Sequence, residues 1–277
     1  MAIDGWTYYN HAMIPTTPPH STVNLDSIVS KRIWHNNKTA ILARYTTDWD
    51  CGHETNWWYV IKDKPFDISE LKSKRRYEIK KGNKNFNVMP INPWEMREEI
   101  FRVTYEAYKS YPDAYRPIIT HDKFVNDVDR WNFYRVYGAF SKEDESLCGY
   151  ACLRREGNYI DFCMMKAVPD KERLGINAAM VNKLLLDHES FLNSDGYICD
   201  GARSIQHETA FQDYLEKYFG FRKAYCHLHI VYRPLFRIII NCIYPLRNQL
   251  ANLNNIKIFK QINSIILMEE LIRKESK

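Results

Sequence analysis

Apolar positions from residue 86 onward switch repeatedly between a period of two and a period of 3.6, the marks of half-buried strands and amphipathic helices. The pattern predicts a strand over 86–91 and a helix over 93–111. A loop bearing Tyr and Pro follows, then a helix over about 121–130. Strands are predicted over 133–140, 147–154 and 159–168. In the last of these, alternation places Asp161, Cys163 and Met165 on one face and Phe162 and Met164 on the other. A helix with Ile176, Met180, Leu184 and Leu185 on its apolar stripe comes next. A strand over 197–201, a helix over 207–218 and a strand pair within 222–232 complete the series. Upstream, Pro15, Pro18 and Pro19 give the first 30 residues the look of an irregular arm. Strands are predicted over 39–46 and over 56–62, the latter holding Trp57, Trp58 and Tyr59. A basic helix capped by Asp67 or Ser69 is predicted over 71–81, stopping at Gly82. The order of elements is that of a mixed α/β fold, a central mixed sheet flanked by helices.

Composition narrows the class. The 277 residues are 45% hydrophobic and 26% charged, enough for one large domain or two small ones, which excludes a disordered, collagen-like or coiled-coil chain. The net charge of +5 lies wholly in the tail, where eight basic and three acidic residues follow from Arg233 onward. The basicity belongs to the tail and says nothing about a nucleic-acid groove in the body, and no DNA partner is expected. Cysteines 51, 148, 152, 163, 199, 226 and 242 are scattered and odd in number, as free thiols in a reducing compartment would be. Residues 1–5 lack the runs of a secretory leader, and the longest apolar stretch, 235–246, is broken by Arg237, Asn241 and Pro245. A cytoplasmic setting is expected. The tail's apolar stripe (Ile258, Phe259, Ile262, Ile265, Ile266, Leu271) fits either an anionic inner membrane surface or docking on the protein's own body or a partner. His53 lies near Cys51 and Asp50, but no second ligand pair at zinc spacing follows, so no metal is expected.

The joint after the strand over 159–168 reads Val168-Pro169-Asp170-Lys171-Glu172-Arg173-Leu174-Gly175-Ile176-Asn177-Ala178. It resembles the pyrophosphate loop of the GNAT acyltransferases, Val-x-Pro-x-x-Arg/Gln-x-x-Gly-x-Gly/Ala. Glu172 stands at the Arg/Gln position and Asn177 at the second Gly/Ala position. The resemblance implies that Val168, Arg173, Gly175, Ile176, Asn177 and Ala178 cradle acetyl-coenzyme A or another acyl-coenzyme A. Residues 210–221 are similar to the family's Ala-x-x-(aromatic)-Tyr-Glu-Lys-x-Gly-Phe segment. There a helix Tyr protonates the leaving thiolate, and Tyr214 and Tyr218 compete for that role. Before residue 86, Trp57-Trp58 and the six Lys/Arg between 72 and 81 look like the FemAB-type peptidyltransferases, which hold two GNAT-like units and use aminoacyl-tRNA. The chain is too short for two complete units. The expected plan is an arm and truncated GNAT-like unit over 1–85, a GNAT-like domain over 86–233 and a basic helical tail over 234–277.

Acyl transfer to an amine needs a base, an oxyanion stabiliser and an acid. Asp200, Arg203 and His207 follow a strand's carboxyl end, where open α/β sheets bind ligands. His207 suits the base, Asp200 its orienter or an ammonium site, and Arg203 a carboxylate or phosphate clamp; Asp161 is a rival base. In the family, the region of Tyr108, Tyr111, Tyr115 and Arg116 borders the acceptor pocket, and this cluster suits a flat polar acceptor such as a sugar. The leading expectation is an N-acyltransferase acting on a small primary amine, an amino sugar of a surface-glycan precursor among the candidates. Aminoacyl transfer from aminoacyl-tRNA is the alternative, and a non-catalytic GNAT-fold binding module the third reading.

Overall fold

The computed structural model describes residues 4–35, 37–111, 116–205, 210–251 and 257–275. Among them the strands are β1 (Trp6–Tyr9), β2 (Ala12–Pro15), β3 (Leu42–Thr47), β4 (Trp57–Lys62), β5 (Phe86–Ile91), β6 (Arg135–Ser141), β7 (Leu147–Glu156), β8 (Tyr159–Ala167), β9 (Tyr197–Ala202) and β10 (Arg222–Tyr232). The helices are α1 (Asp26–Val29), α2 (Ser73–Asn85), α3 (Arg97–Lys109), α4 (His121–Val128), α5 (Pro169–Glu172), α6 (Ile176–Asp187), α7 (Glu189–Leu192), α8 (Ala210–Phe219), α9 (Pro234–Ile243), α10 (Arg247–Ala251) and α11 (Lys257–Glu275).

The chain forms two interleaved units, not three consecutive segments. One takes the described residues of 1–59, 202–209 and 223–277; the other takes 60–201 and 210–222. Boundaries expected at 85 and 233 therefore fail, because the last strand and the tail return to the unit that the N-terminus began.

In the first unit, β1 and β2 form a hairpin where an irregular arm was expected. Asn10 and His11 both take positive φ, the turn that matches strand twist. β2 runs parallel to β3, and β3 antiparallel to β10 from Thr47–His227 to Leu42–Tyr232. Residues 222–232 form one long strand, not a pair. Trp6, Met13, Ile33, Trp34, Ala40 and Ala43 make one core. The tail helix makes a second: Met268 and Ile265 pack with Ala12 and Leu42, while Leu271 and Ile272 pack against Trp57, Cys226 and Leu228. Of the two settings expected for the tail stripe, docking on its own unit accounts for these residues. Ile258 and Phe259 lie outside the residues whose side chains are described. Leu235 and Ile238 on α9 stay exposed. Among the described residues no helix is long and apolar enough to cross a membrane.

In the second unit the strand order is β9-β8-β7-β6-β5, parallel between β9 and β8 and antiparallel elsewhere. Alternation along β7 sends Tyr150 and Cys152 into a core with Ile100 and Val103 of α3. It sends Gly149 to the other face, where Ile176 and Met180 of α6 close over it. Helix α3 starts at Arg97, four residues later than expected, because the Asn92 side chain accepts the Trp94 N–H and holds a separate turn. Asp67 caps only a short 3₁₀ turn through the Ser69 N–H, so α2 begins at Ser73. Helix α2 does not stop at Gly82; it runs through it to Asn85.

Candidate active site

The parallel ladder between β8 and β9 ends at the Asp161–Cys199 pair, and Asp200 is the first residue beyond it. The strands part where β8 carries a bulge: Leu153 faces Phe162 and Cys152 faces Met164, so Cys163 has no residue opposite. This overturns the expected alternation. Past the bulge, Cys163 and Met164 both pack towards the α3 core. Phe162 turns the other way, edge-on to Phe211 of α8 at 5.8 Å. Burial raises the Cys163 thiol well above its ordinary pKa, so it is a packed thiol and not a nucleophile.

Asp200 is half-buried, and burial pushes its carboxyl up to about 7, against a hydrogen bond from Gln212 and with help from the negative charge of Asp161. A carboxyl titrating near neutrality is matched to proton transfer. Asp161 is committed elsewhere: Arg154 donates to its Oδ2 at 2.9 Å. Two carboxylates thus divide their duties, one neutralised by an arginine and one left to titrate.

Helix α8 supplies the neighbouring aromatic wall. Phe211 stacks on Tyr214 at 6.1 Å, and Tyr214 meets Tyr218 edge-on at 5.4 Å. Burial first, then the Glu78 charge, raises the Tyr214 phenol, which keeps its proton. Tyr218 is less available, since the Arg75 guanidinium lies 3.2 Å from its ring centroid. Arg75 is also paired with Glu78.

The loop expected to cradle a pyrophosphate is covered by α2. A Cβ on Gly82 would stand 2.3 Å from the Gly175 carbonyl oxygen. One on Gly175 would meet Glu78 O at 2.9 Å and Gly82 N at 3.0 Å. Lys81 Nζ donates to Arg173 O at 2.7 Å, and Asn85 Nδ2 to Leu174 O at 3.2 Å. Gly175 takes φ of 86°, which favours glycine, and N-caps α6. Ile176 and Ala178 are buried and Val168 packs on the α3 core. Arg173 is exposed and Asn177 half-buried. Helix α2 is thus seated on the loop through the carbonyls of Arg173, Leu174 and Gly175.

The remaining expected residues do not gather at Asp200. Arg203 belongs to the other unit. It donates to Asn56 O at 2.6 Å and lies 4.4 Å from the Trp58 ring. His207 and Tyr115 lie outside the described residues. Arg116 is engaged at the end of α3. Its guanidinium donates to the carbonyls of Tyr108, Lys109 and Tyr111 at 3.0–3.1 Å and so closes the C-terminus of α3. Arg116→Ala is expected to cost about 1 kcal/mol, a fall of roughly 2–4 °C in a thermal melt, with no change in acceptor KM. A raised KM at unchanged melting would restore it to the acceptor site.

Tyr108 and Tyr111 instead hold Lys166 of β8. Its Nζ donates to the Tyr111 hydroxyl at 2.8 Å and lies 5.0 and 5.1 Å from the two rings. Sequence reasoning missed this residue. The available signal was a lone lysine in the run Phe162-Cys163-Met164-Met165-Lys166-Ala167, where a charge must find partners.

No family profile matches the sequence, and no curated protein matches it. Solved structures do resemble the fold. FemX aligns with a TM-score of 0.55 at 9% identity, over 84% of this chain and 85% of its own. A conserved protein of unknown function from Bacteroides thetaiotaomicron VPI-5482 aligns at 0.51 and 11% identity, over 82% and 83%. L-PGS from Bacillus licheniformis aligns at 0.49 and 13% identity, over 82% and 79%. The likeness to FemX shows a shared fold, of the GNAT-like and FemAB-like kind.

Proposed function

We propose that this chain is a FemAB-like transferase that moves an aminoacyl group from aminoacyl-tRNA to a primary amine, with Asp200 as the general base. The observation that carries the choice of donor is the seating of α2 on the 173–176 loop, where Gly82 and Gly175 are in backbone contact. A coenzyme A pyrophosphate needs the amides at the α6 N-terminus to be approachable. An aminoacyl ester on a ribose does not.

In the proposed reaction the acceptor ammonium gives a proton to Asp200, and the free amine attacks the ester carbonyl. The new C–N bond forms as the C–O bond to the ribose breaks. The tetrahedral species gives its second N–H proton to water, and the departing ribose oxygen takes one from the Tyr214 phenol, which recovers a proton from solvent, as Asp200 releases its own there. Lys166 between Tyr108 and Tyr111 supports recognition of an anionic group on the acceptor.

The exposed lysines 72, 74, 80 and 84 of α2 and its N-cap give the polyanion a surface. With four phosphate contacts, retention of charged tRNA should fall roughly 50- to 150-fold between 50 and 200 mM salt. The combined variant Lys80→Glu, Lys84→Glu should flatten that slope. Affinity equal to that for random RNA, or a thermal shift of a few degrees with acetyl-coenzyme A, would overturn the reading in favour of a coenzyme A thioester donor.

A further inference from the structure

Far from Asp200 in sequence, and wholly within the first unit, Cys51, His53 and His227 bring their ligand atoms within 4.8 Å of one another. Cys51 and His53 lie on the turn after β3, where Asp50 and Gly52 both take positive φ. The Cys51 N–H donates to Tyr225 O at 3.0 Å and Thr55 Oγ1 to Cys226 O at 2.8 Å, which lays the turn along β10, the strand that bears His227. Such anchoring at both ends fixes where the thiol and imidazole point.

The chemistry of the donors is specific. His53 Nδ1 lies 3.1 Å from Cys51 O and donates to it, which leaves the Nε2 lone pair facing Cys51 Sγ at 3.9 Å. That is the second-sphere arrangement that orients a metal-binding imidazole. Tetrahedral zinc with bonds of 2.0–2.3 Å sets its ligands about 3.5 Å apart, so the cluster needs to contract by less than about 1.5 Å. A carboxylate stands behind His227. Glu275, in the last turn of α11, places Oε2 3.4 Å from His227 Nδ1, while its Oε1 accepts the Asn56 N–H at 2.7 Å. One thiolate and two imidazoles suit zinc, with the carboxylate orienting one imidazole. A copper centre would pair Cys-His-His with a weak thioether instead.

We infer that Cys51, His53 and His227 form a zinc site, with Glu275 orienting His227 and so tying the end of α11 to the turn after β3. Binding displaces the Cys51 thiol proton to solvent. The expectation of no metal rested on the lack of a second ligand pair in sequence; here β10 supplies the third donor and α11 the carboxylate behind it.

The test uses the full chain, stripped with chelator and titrated with Zn²⁺ alone, then with Co²⁺. One zinc per chain is expected after desalting, with a higher melting midpoint. Cobalt should give a thiolate charge-transfer band that Cys51→Ser abolishes. His53 is exposed, so His53→Ala should keep the wild-type circular dichroism while weakening zinc at least about 100-fold. Glu275→Gln should weaken it roughly 10- to 100-fold. Substoichiometric zinc, or stoichiometric zinc untouched by Cys51→Ser and His53→Ala, overturns the site. Neither result bears on the transferase reading, which rests on the other unit.

Discussion

Asp200→Asn is expected to lower kcat/KM by about 10²–10⁴-fold, the usual worth of a positioned general base, while the chain stays folded. The wild-type profile should climb about tenfold per pH unit up to about 7, where the Asp200 carboxyl loses its proton, and then level. The direction follows from the role: only the carboxylate can take a proton from the acceptor ammonium. In the Asn variant the break near 7 should vanish. A variant that keeps both rate and break would remove Asp200 from the chemistry.

The same substitution should change stability with the opposite sign. An aspartate in the unfolded chain titrates near 4, and Asp200 in the fold near 7. Below pH 4 the group is protonated in both states and costs nothing. Between pH 4 and 7 the unfolded chain ionises first, and the folded state loses up to about 4 kcal/mol relative to it. Asparagine never ionises, so Asp200→Asn should match the wild type at pH 4 and be more stable by a few kcal/mol at pH 8. Gain in stability with loss of rate is what a strained catalytic carboxyl produces.

Much of this was legible in the chain. The five strands predicted between residues 86 and 201 fell within a few residues of their limits, because each is an apolar run bounded by polar turns. Asp200 stood out from its place at a strand's carboxyl end. Three features were not legible. The bulge at Cys163 breaks alternation with no glycine or proline to announce it. Arg116 bonds the carbonyls at the end of α3, and Lys166, to which the sequence assigned no role, meets the tyrosines, since backbone carbonyls at a helix end carry no side-chain signature. The division into two units depends on β10 and α11 returning to β3, a contact between chain ends that no local pattern encodes.

Gly82→Ala is expected to destabilise the protein by about 2–3 kcal/mol, although the same change in an ordinary helix stabilises by about 1 kcal/mol. The sign turns on one distance. The added Cβ would lie 2.3 Å from the Gly175 carbonyl oxygen and 3.0 Å from the Ala179 Cβ. The oxygen is backbone at the N-cap of α6, and Gly175 cannot readily give way, since its φ of 86° suits glycine alone and its own carbonyl accepts the Ala179 N–H at 3.0 Å. Helix α2 must therefore tilt away, straining the Lys81 and Asn85 bonds to the same loop. Asn83→Ala, one residue on and exposed, is the control and should fall within about 0.5 kcal/mol of the wild type. Urea melts of the two variants decide the point. If Gly82→Ala were as stable as its control or more so, α2 would not be seated on the loop, the amides at the α6 N-terminus would be open, and the case against a coenzyme A donor would fall with it.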